Sequence, residues 1–128
     1  MEKNDDLYKR EAIVALSALR QRVRWKPGKA VAHLEKRKKL GHVPVKFSVE
    51  GYNRLIQTLV RVSGHRVYLY RFGSERYYAV TGAARGAEWL AILSKEGIME
   101  TAFPPDSLAN YLSQRGFVFL ATVEELLG

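Results

Sequence analysis

The sequence predicts an α+β domain in which N-terminal helices precede an antiparallel sheet of at least four strands, followed by a short C-terminal helix and strand. Three observations predict it. Before Gly64 the apolar residues recur at intervals of three and four, whereas from Arg66 onward they alternate, so the period changes from helical to extended. Two turn signals, Gly73-Ser74 and Lys95-Glu96-Gly97, each separate a pair of strand-like runs. The 128 residues, 47% apolar and 27% charged, suit one hydrophobic core, and no linker divides them, so residues 1–128 form a single domain.

Asn4 can cap a first helix, with Asp5 and Asp6 in its first turn. Tyr8, Ala12, Leu16, Leu19 and Val23 then lie on one helical face, and Arg20, Arg22 and Arg24 fill the last turn. Pro27 opens a second helix over residues 28–40, with Gly41 as its left-handed cap and Pro44 blocking continuation. Ser48 caps a third helix whose apolar stripe is Tyr52, Leu55, Ile56, Leu59 and Val60.

Residues 66–72 and 75–81 form the first hairpin. Closure at Phe72 and Glu75 pairs Tyr70 with Tyr77 and Tyr68 with Ala79, collecting Tyr68, Tyr70, Phe72 and Tyr77 on one face. That face suits either core packing or the stacking of bases. Residues 81–86 are small and read as a mobile loop. Residues 88–94 and 98–103 form the second hairpin, ended by Pro104-Pro105, and helices on one face of the sheet are expected to cover it. Residues 106–115 follow as a short helix, and residues 117–120 as an extended segment before the capping-box pattern Thr122-Val123-Glu124-Glu125.

Charge is segregated. Residues 1–46 hold 13 Lys/Arg against 5 Asp/Glu, which accounts for the whole formal charge of +8, while residues 47–128 balance to zero. A basic helical part of this kind points to a polyanion partner, RNA or another nucleic acid, or to a basic face kept for solubility. An acidic inhibitor protein would fit the same surface. No apolar run approaches a membrane span, so no membrane partner is expected, and the N-terminus lacks a signal-peptide core, so a cytoplasmic location is expected. The absence of cysteine excludes disulfides and thiolate metal sites, and the three histidines have no compact ligand spacing, so neither metal nor cofactor is expected.

On the second helix Lys29, His33, Lys36 and Arg37 share one face. Neighbouring cations disfavour protonation of His33, leaving an imidazole that accepts a proton near neutral pH beside groups that bind phosphate. That combination suits RNA cleavage, in which a base takes the 2′-hydroxyl proton and cations hold the charged phosphorane. A solvated basic helix with an incidental histidine is the alternative. His42, after the helix, is expected to be protonated near the helix C-terminus, as a general acid requires, or to cap the last carbonyls. Lys38, Lys39, Lys46 and Arg85 complete the expected phosphate-binding set, and Glu100 is the acidic residue whose place on a strand can matter.

The segment Gly97-Ile98-Met99-Glu100-Thr101-Ala102-Phe103-Pro104 resembles the late strand of the barnase–EndoU–colicin–RelE-like nuclease superfamily, where Thr-Ala-Phe-Pro is frequent. The helix carrying His33, Lys36 and Arg37, with Gly41-His42, resembles the basic, histidine-bearing N-terminal part of the same domains, so the likeness covers about residues 28–104. The resemblance implies metal-independent RNA cleavage, with His33, Arg37 and Thr101 at the matched positions, in toxin or phage settings. The leading expectation is therefore an RNA-directed basic domain whose catalytic form is a metal-independent endoribonuclease of toxin or mobile-element type. His33 and His42 are its acid–base pair and Thr101 bonds phosphate or substrate. A non-catalytic nucleic-acid-binding or phage accessory protein, and an interaction domain docking an acidic partner, are the alternatives.

Overall fold

A computed structural model describes residues 2–128, with side chains from Asp5 onward. The elements in order are α1 (Glu2–Gln21), β1 (Arg24–Trp25), α2 (Lys29–Lys39), α3 (Val49–Leu59), β2 (Arg66–Phe72), β3 (Glu75–Ala84), β4 (Ala87–Ser94), β5 (Ile98–Phe103), α4 (Leu108–Gln114), β6 (Val118–Thr122) and α5 (Val123–Leu127). The α+β class with N-terminal helices and a short C-terminal helix and strand is as the sequence predicts. None of these helices is long and apolar enough to cross a membrane.

Six strands form one sheet in the order β1-β5-β4-β3-β2-β6. Every pairing is antiparallel except that of β1 with β5, which is parallel and makes the sheet mixed. The first hairpin has the register its turn dictates, with Tyr70 opposite Tyr77 and Tyr68 opposite Ala79. Residues 81–86 are not a mobile loop. β3 and β4 run on to Ala84 and Ala87, and a two-residue turn joins them in which Arg85 and Gly86 take φ of 50° and 77°. Both central residues at positive φ match the strand-compatible hairpin turn that the right-handed twist of the strands favours.

Helix ends follow local chemistry. The Ser48 hydroxyl accepts from the Gly51 amide at 2.9 Å, and Thr122 and Glu125 cap α5 reciprocally. Helix α1 starts before the expected cap, which places Asn4 inside it with a side chain outside the described residues. At the end of α2, the His42 amide donates to the Arg37 carbonyl at 2.8 Å and the Gly41 amide to that of Lys38 at 3.0 Å. With Gly41 at φ 77°, this is a Schellman closure, and it fixes where His42 leaves the helix.

The main core joins Leu16 and Leu19 of α1, Tyr52, Ile56 and Leu59 of α3, and Val67, Val80, Trp89 and Leu93 of the sheet. The opposite sheet face carries a smaller cluster, Ala79, Leu90 and Ile92, covered by Leu108, Tyr111 and Leu112 of α4 with Phe117 and Phe103. Helices thus pack on both faces rather than one, because β4 and β3 are apolar on both sides where they cross the middle of the sheet.

Candidate active site

β1 pairs with β5 only at Ile98 and Met99, so residues 100–103 of β5 have no strand on their outer side. An open strand edge needs cover. Part of it comes from Tyr52, whose buried hydroxyl donates to the Ala102 carbonyl at 2.6 Å, and part from α2, which packs against β5. Burial pushes the Tyr52 hydroxyl well above its ordinary pKa, so this phenol stays a donor.

The α-helical repeat places His33 and Arg37 one turn apart on the side of α2 that faces this edge. His33 Nδ1 lies 3.4 Å from Thr101 Oγ1, and the imidazole ring sits 5.3 Å from the Trp25 ring. Trp25 in turn stacks on Tyr52 at 5.7 Å and donates its indole N–H to Asn53 Oδ1 at 2.9 Å. The half-buried imidazole is therefore gripped from two sides. When Nδ1–H donates to Thr101, Nε2 carries the free lone pair. The pKa of His33 is lowered, first by burial and then by the charges of Arg37, Lys29 and Lys36. Below its usual value, the ring is neutral at pH 7 and able to accept a proton.

Arg37 is the unexpected member. Its sequence neighbours Lys36 and Lys39 are exposed, yet Arg37 is only 4% exposed. Its guanidinium lies over the Phe103 ring, 5.4 Å from the centroid, and its buried Nε and Nη1 have no hydrogen-bond partner. Burial lowers its pKa, although an arginine keeps its charge in any protein environment. A buried cation without a counter-charge costs several kcal/mol. A phosphate matches the planar fork of a guanidinium, and an anion seated beside Arg37 would lower that cost, but Nε and Nη1 are closed to solvent, so local movement of the edge has to precede contact with them.

His42 does not join this pair. Its ring packs edge-on to Trp89 at 6.4 Å, its Nδ1 is buried without a partner, and no hydrogen bond or ring contact among the described residues links it to His33 or Thr101. Its pKa is lowered, by burial first and Arg37 second, against a smaller opposing effect of Asp106. The protonated form expected for His42 from its place near a helix end is thus disfavoured: the backbone amides already close the helix, and burial and Arg37 both act against the charge. Lys29, Lys36, Lys39 and Lys46 are exposed, Lys38 pairs with Glu35 at 3.2 Å, and Arg85 lies at the β3–β4 turn over the Phe47 ring. His65, outside the cluster, bonds the Leu59 carbonyl through Nδ1 at 2.9 Å.

Trp25, Tyr52, Asn53 and Phe103 belong to the site and are missed by motif spacing. The one available signal is a tryptophan just before the Pro27 helix start, where a solvated basic helix offers no reason for a large aromatic. No protein-family model, curated protein or solved structure matches this chain. The geometry of the site is therefore what bears on function.

Proposed function

We propose that this protein is an RNA-directed endoribonuclease that works without a metal and acts in the cytoplasm. The observation that supports this reading is the convergence of three residues at one open strand edge. They are a neutral imidazole, a threonine that orients it, and a buried arginine lacking an anion.

In this reading the scissile phosphate docks on the Arg37 guanidinium. His33 Nε2 removes the proton of the adjacent 2′-hydroxyl, and the 2′ oxygen forms a bond to phosphorus. The bond from phosphorus to the 5′ oxygen breaks, and that oxygen leaves with a proton from solvent. The products are a 2′,3′-cyclic phosphate and a 5′-hydroxyl. Arg37 holds the extra negative charge of the phosphorane, where a fixed buried cation acts more strongly than one in water. Lys29, Lys36 and Lys39 on the exposed side of α2 hold the flanking backbone. No proton transfer is assigned to His42. The resemblance of residues 28–104 to the barnase–EndoU–colicin–RelE-like nucleases implies the same chemistry.

The test is cleavage of RNA in EDTA with analysis of the product ends. His33→Ala is expected to lose about 10²–10⁴ in rate while keeping its circular dichroism and melting temperature. A folded His33→Ala protein that cleaves at the wild-type rate sinks the reading. Retained, salt-sensitive RNA binding without cleavage would leave a binding module built on the lysines of α2.

A further inference from the structure

The groove between α3 and the end of β3 contains none of the residues of the His33–Thr101 pair. β3 outruns β2 there: their register ends at Arg66 opposite Thr81, while β3 continues to Ala84 paired with β4 alone. The His65 ring fills the space over Gly82, so the open part of the edge is Ala83 and Ala84. Residues that flank a two-residue hairpin turn bond each other, which commits the amide and carbonyl of Ala84 to Ala87. Polar groups of an antiparallel strand alternate sides, so Ala83 turns both of its own outward, and among the described residues no turn or loop hydrogen bond takes them.

Gly51, Arg54, Leu55 and Thr58 recur at helical spacing on α3 and form one wall of this groove, which has a volume of about 350 Å³ and is completed by Phe47 and the strand edge. Its lining is apolar at Leu55, Phe47 and the two alanines, and charged at Arg54 and Arg85. Both arginines are exposed, and neither enters an ion pair among the described residues. The turn does not account for Arg85. It holds φ 50°, a conformation that asparagine or glycine adopts with less strain, and its guanidinium lies over the Phe47 ring, 4.9 Å from the centroid. That ring rests in turn on Gly51, where a Cβ would come within 3.4 Å of it. The stack fixes one cation beside the groove, and the N-terminus of α3 adds the positive end of its dipole.

We propose that this groove captures the carboxyl terminus of a partner protein. The tail lies extended along β3 and completes its edge at Ala83, its terminal carboxylate accepts from Arg54 and Arg85, and its last side chain packs on Leu55 and Phe47. Two guanidiniums call for an anion, and the unpaired backbone of Ala83 calls for a strand. A carboxyl-terminal tail supplies both at once. A nucleic-acid backbone supplies the charge, but it has no amide and carbonyl to meet those of Ala83 and leaves the apolar lining uncovered. The site is independent of the nuclease reading.

The test uses two pooled libraries of N-acetylated pentapeptides randomised at the last four positions, one with free carboxyl ends and one amidated. Each is passed over the immobilised folded protein, and retained peptides are read by mass spectrometry. The free-acid pool is expected to be retained selectively, and its best member to bind on the order of tenfold more tightly than its own amide, as charge-assisted hydrogen bonds to a carboxylate predict. In amide-resolved NMR that peptide should shift the signals of residues 51–58 and 83–85 and slow solvent exchange of the Ala83 amide, leaving residues 33 and 101 unshifted. Arg54→Gln should erase the difference between acid and amide, and so should Arg85→Asn, which suits the positive φ and keeps the turn folded. Equal retention of the two pools, or acid-selective binding with shifts elsewhere, overturns the proposal. A uridine decanucleotide that shifts residues 54 and 85 when no free-acid peptide does overturns it too and makes the two arginines a nucleic-acid surface. Cleavage by the His33→Ala variant judges the nuclease reading separately.

Discussion

Arg76 and Arg37 are both drawn into the packed domain, and they are satisfied in opposite ways. Arg76 donates to both carboxylate oxygens of Glu11, at 2.9 and 2.7 Å, and the Tyr78 hydroxyl adds a 2.5 Å bond to the same carboxylate. This network ties α1 to β3, holds Glu11 down at about 2 and raises Arg76. Arg37, at 4% exposure, has an aromatic ring beneath it and no acceptor on Nε or Nη1, and its pKa is pushed down. Buried charges are ordinarily paired. A cation that is paired with an acid across 65 residues of sequence serves the fold, while Arg37, buried without an acceptor on two of its nitrogens, is the cation on which the proposed phosphate site rests.

The largest effect is expected at Arg37. Arg37→Met keeps the stem volume and contact with Phe103 but removes the unpaired charge. RNA cleavage is expected to fall by about 10²–10³, the range for loss of a transition-state charge donor. The melting temperature should stay level or rise, since replacing an uncompensated buried charge by an apolar group relieves desolvation. A variant that unfolds while wild-type activity per folded molecule persists would make Arg37 a structural residue like Arg76.

Glu11→Gln should give the mirror image: a stability loss of about 1–3 kcal/mol, read by urea unfolding, with cleavage per folded molecule unchanged. The pH dependence carries the same signature. The folded pKa of Glu11 lies below its ordinary value of 4.5, so its contribution is complete above that pH and is lost as pH falls toward 2. Urea melts between pH 5 and pH 2 should show this acid-dependent loss in the wild type and a flatter curve in Glu11→Gln.

Thr101→Val is expected to act at smaller amplitude. It deletes the partner of His33 Nδ1 while preserving shape, and about a fivefold loss of rate is expected where a lost hydrogen bond is worth about 1 kcal/mol. The smallest effect is a shift in the pH–rate profile. A base whose pKa is lowered gives a rate that rises with pH through a midpoint below 6.5 and levels off above that midpoint. Arg37→Met removes one of the cations that depress His33, so its residual activity should show this midpoint displaced upward. An unmoved midpoint would mean that Arg37 contributes nothing and that burial, with Lys29 and Lys36, sets the imidazole.

Much of the fold is legible because its determinants are local. Gly73-Ser74 dictates the β2–β3 register, Ser48 and the Thr122–Glu125 box start helices, and the stripe from Tyr52 to Val60 marks a buried helix face. Arg24–Trp25 is too short to show any period, so its parallel pairing with β5 is invisible until β5 is in place. The segregated positive charge is also legible, but its use is not. Arg20 bonds the Val60 carbonyl, Arg24 bonds that of Glu96, Lys38 pairs with Glu35 and Arg37 is buried, so among the described residues at least four of the 13 cations in the basic part are engaged within the protein.

By itself the sequence determined the helix face that carries His33 and Arg37, since residues four apart on a helix must be neighbours whatever surrounds them. Only the tertiary structure decided that this face meets Thr101, 68 residues away, that Arg37 rather than Lys36 or Lys38 turns inward, and that His42 turns toward Trp89 instead. Burial and the absence of a partner are properties of the whole packed chain. A run such as Lys36-Arg37-Lys38-Lys39 carries the same charge at each position, and packing against the edge of β5 singles out the one that is buried, with no acceptor on Nε or Nη1 among the described residues.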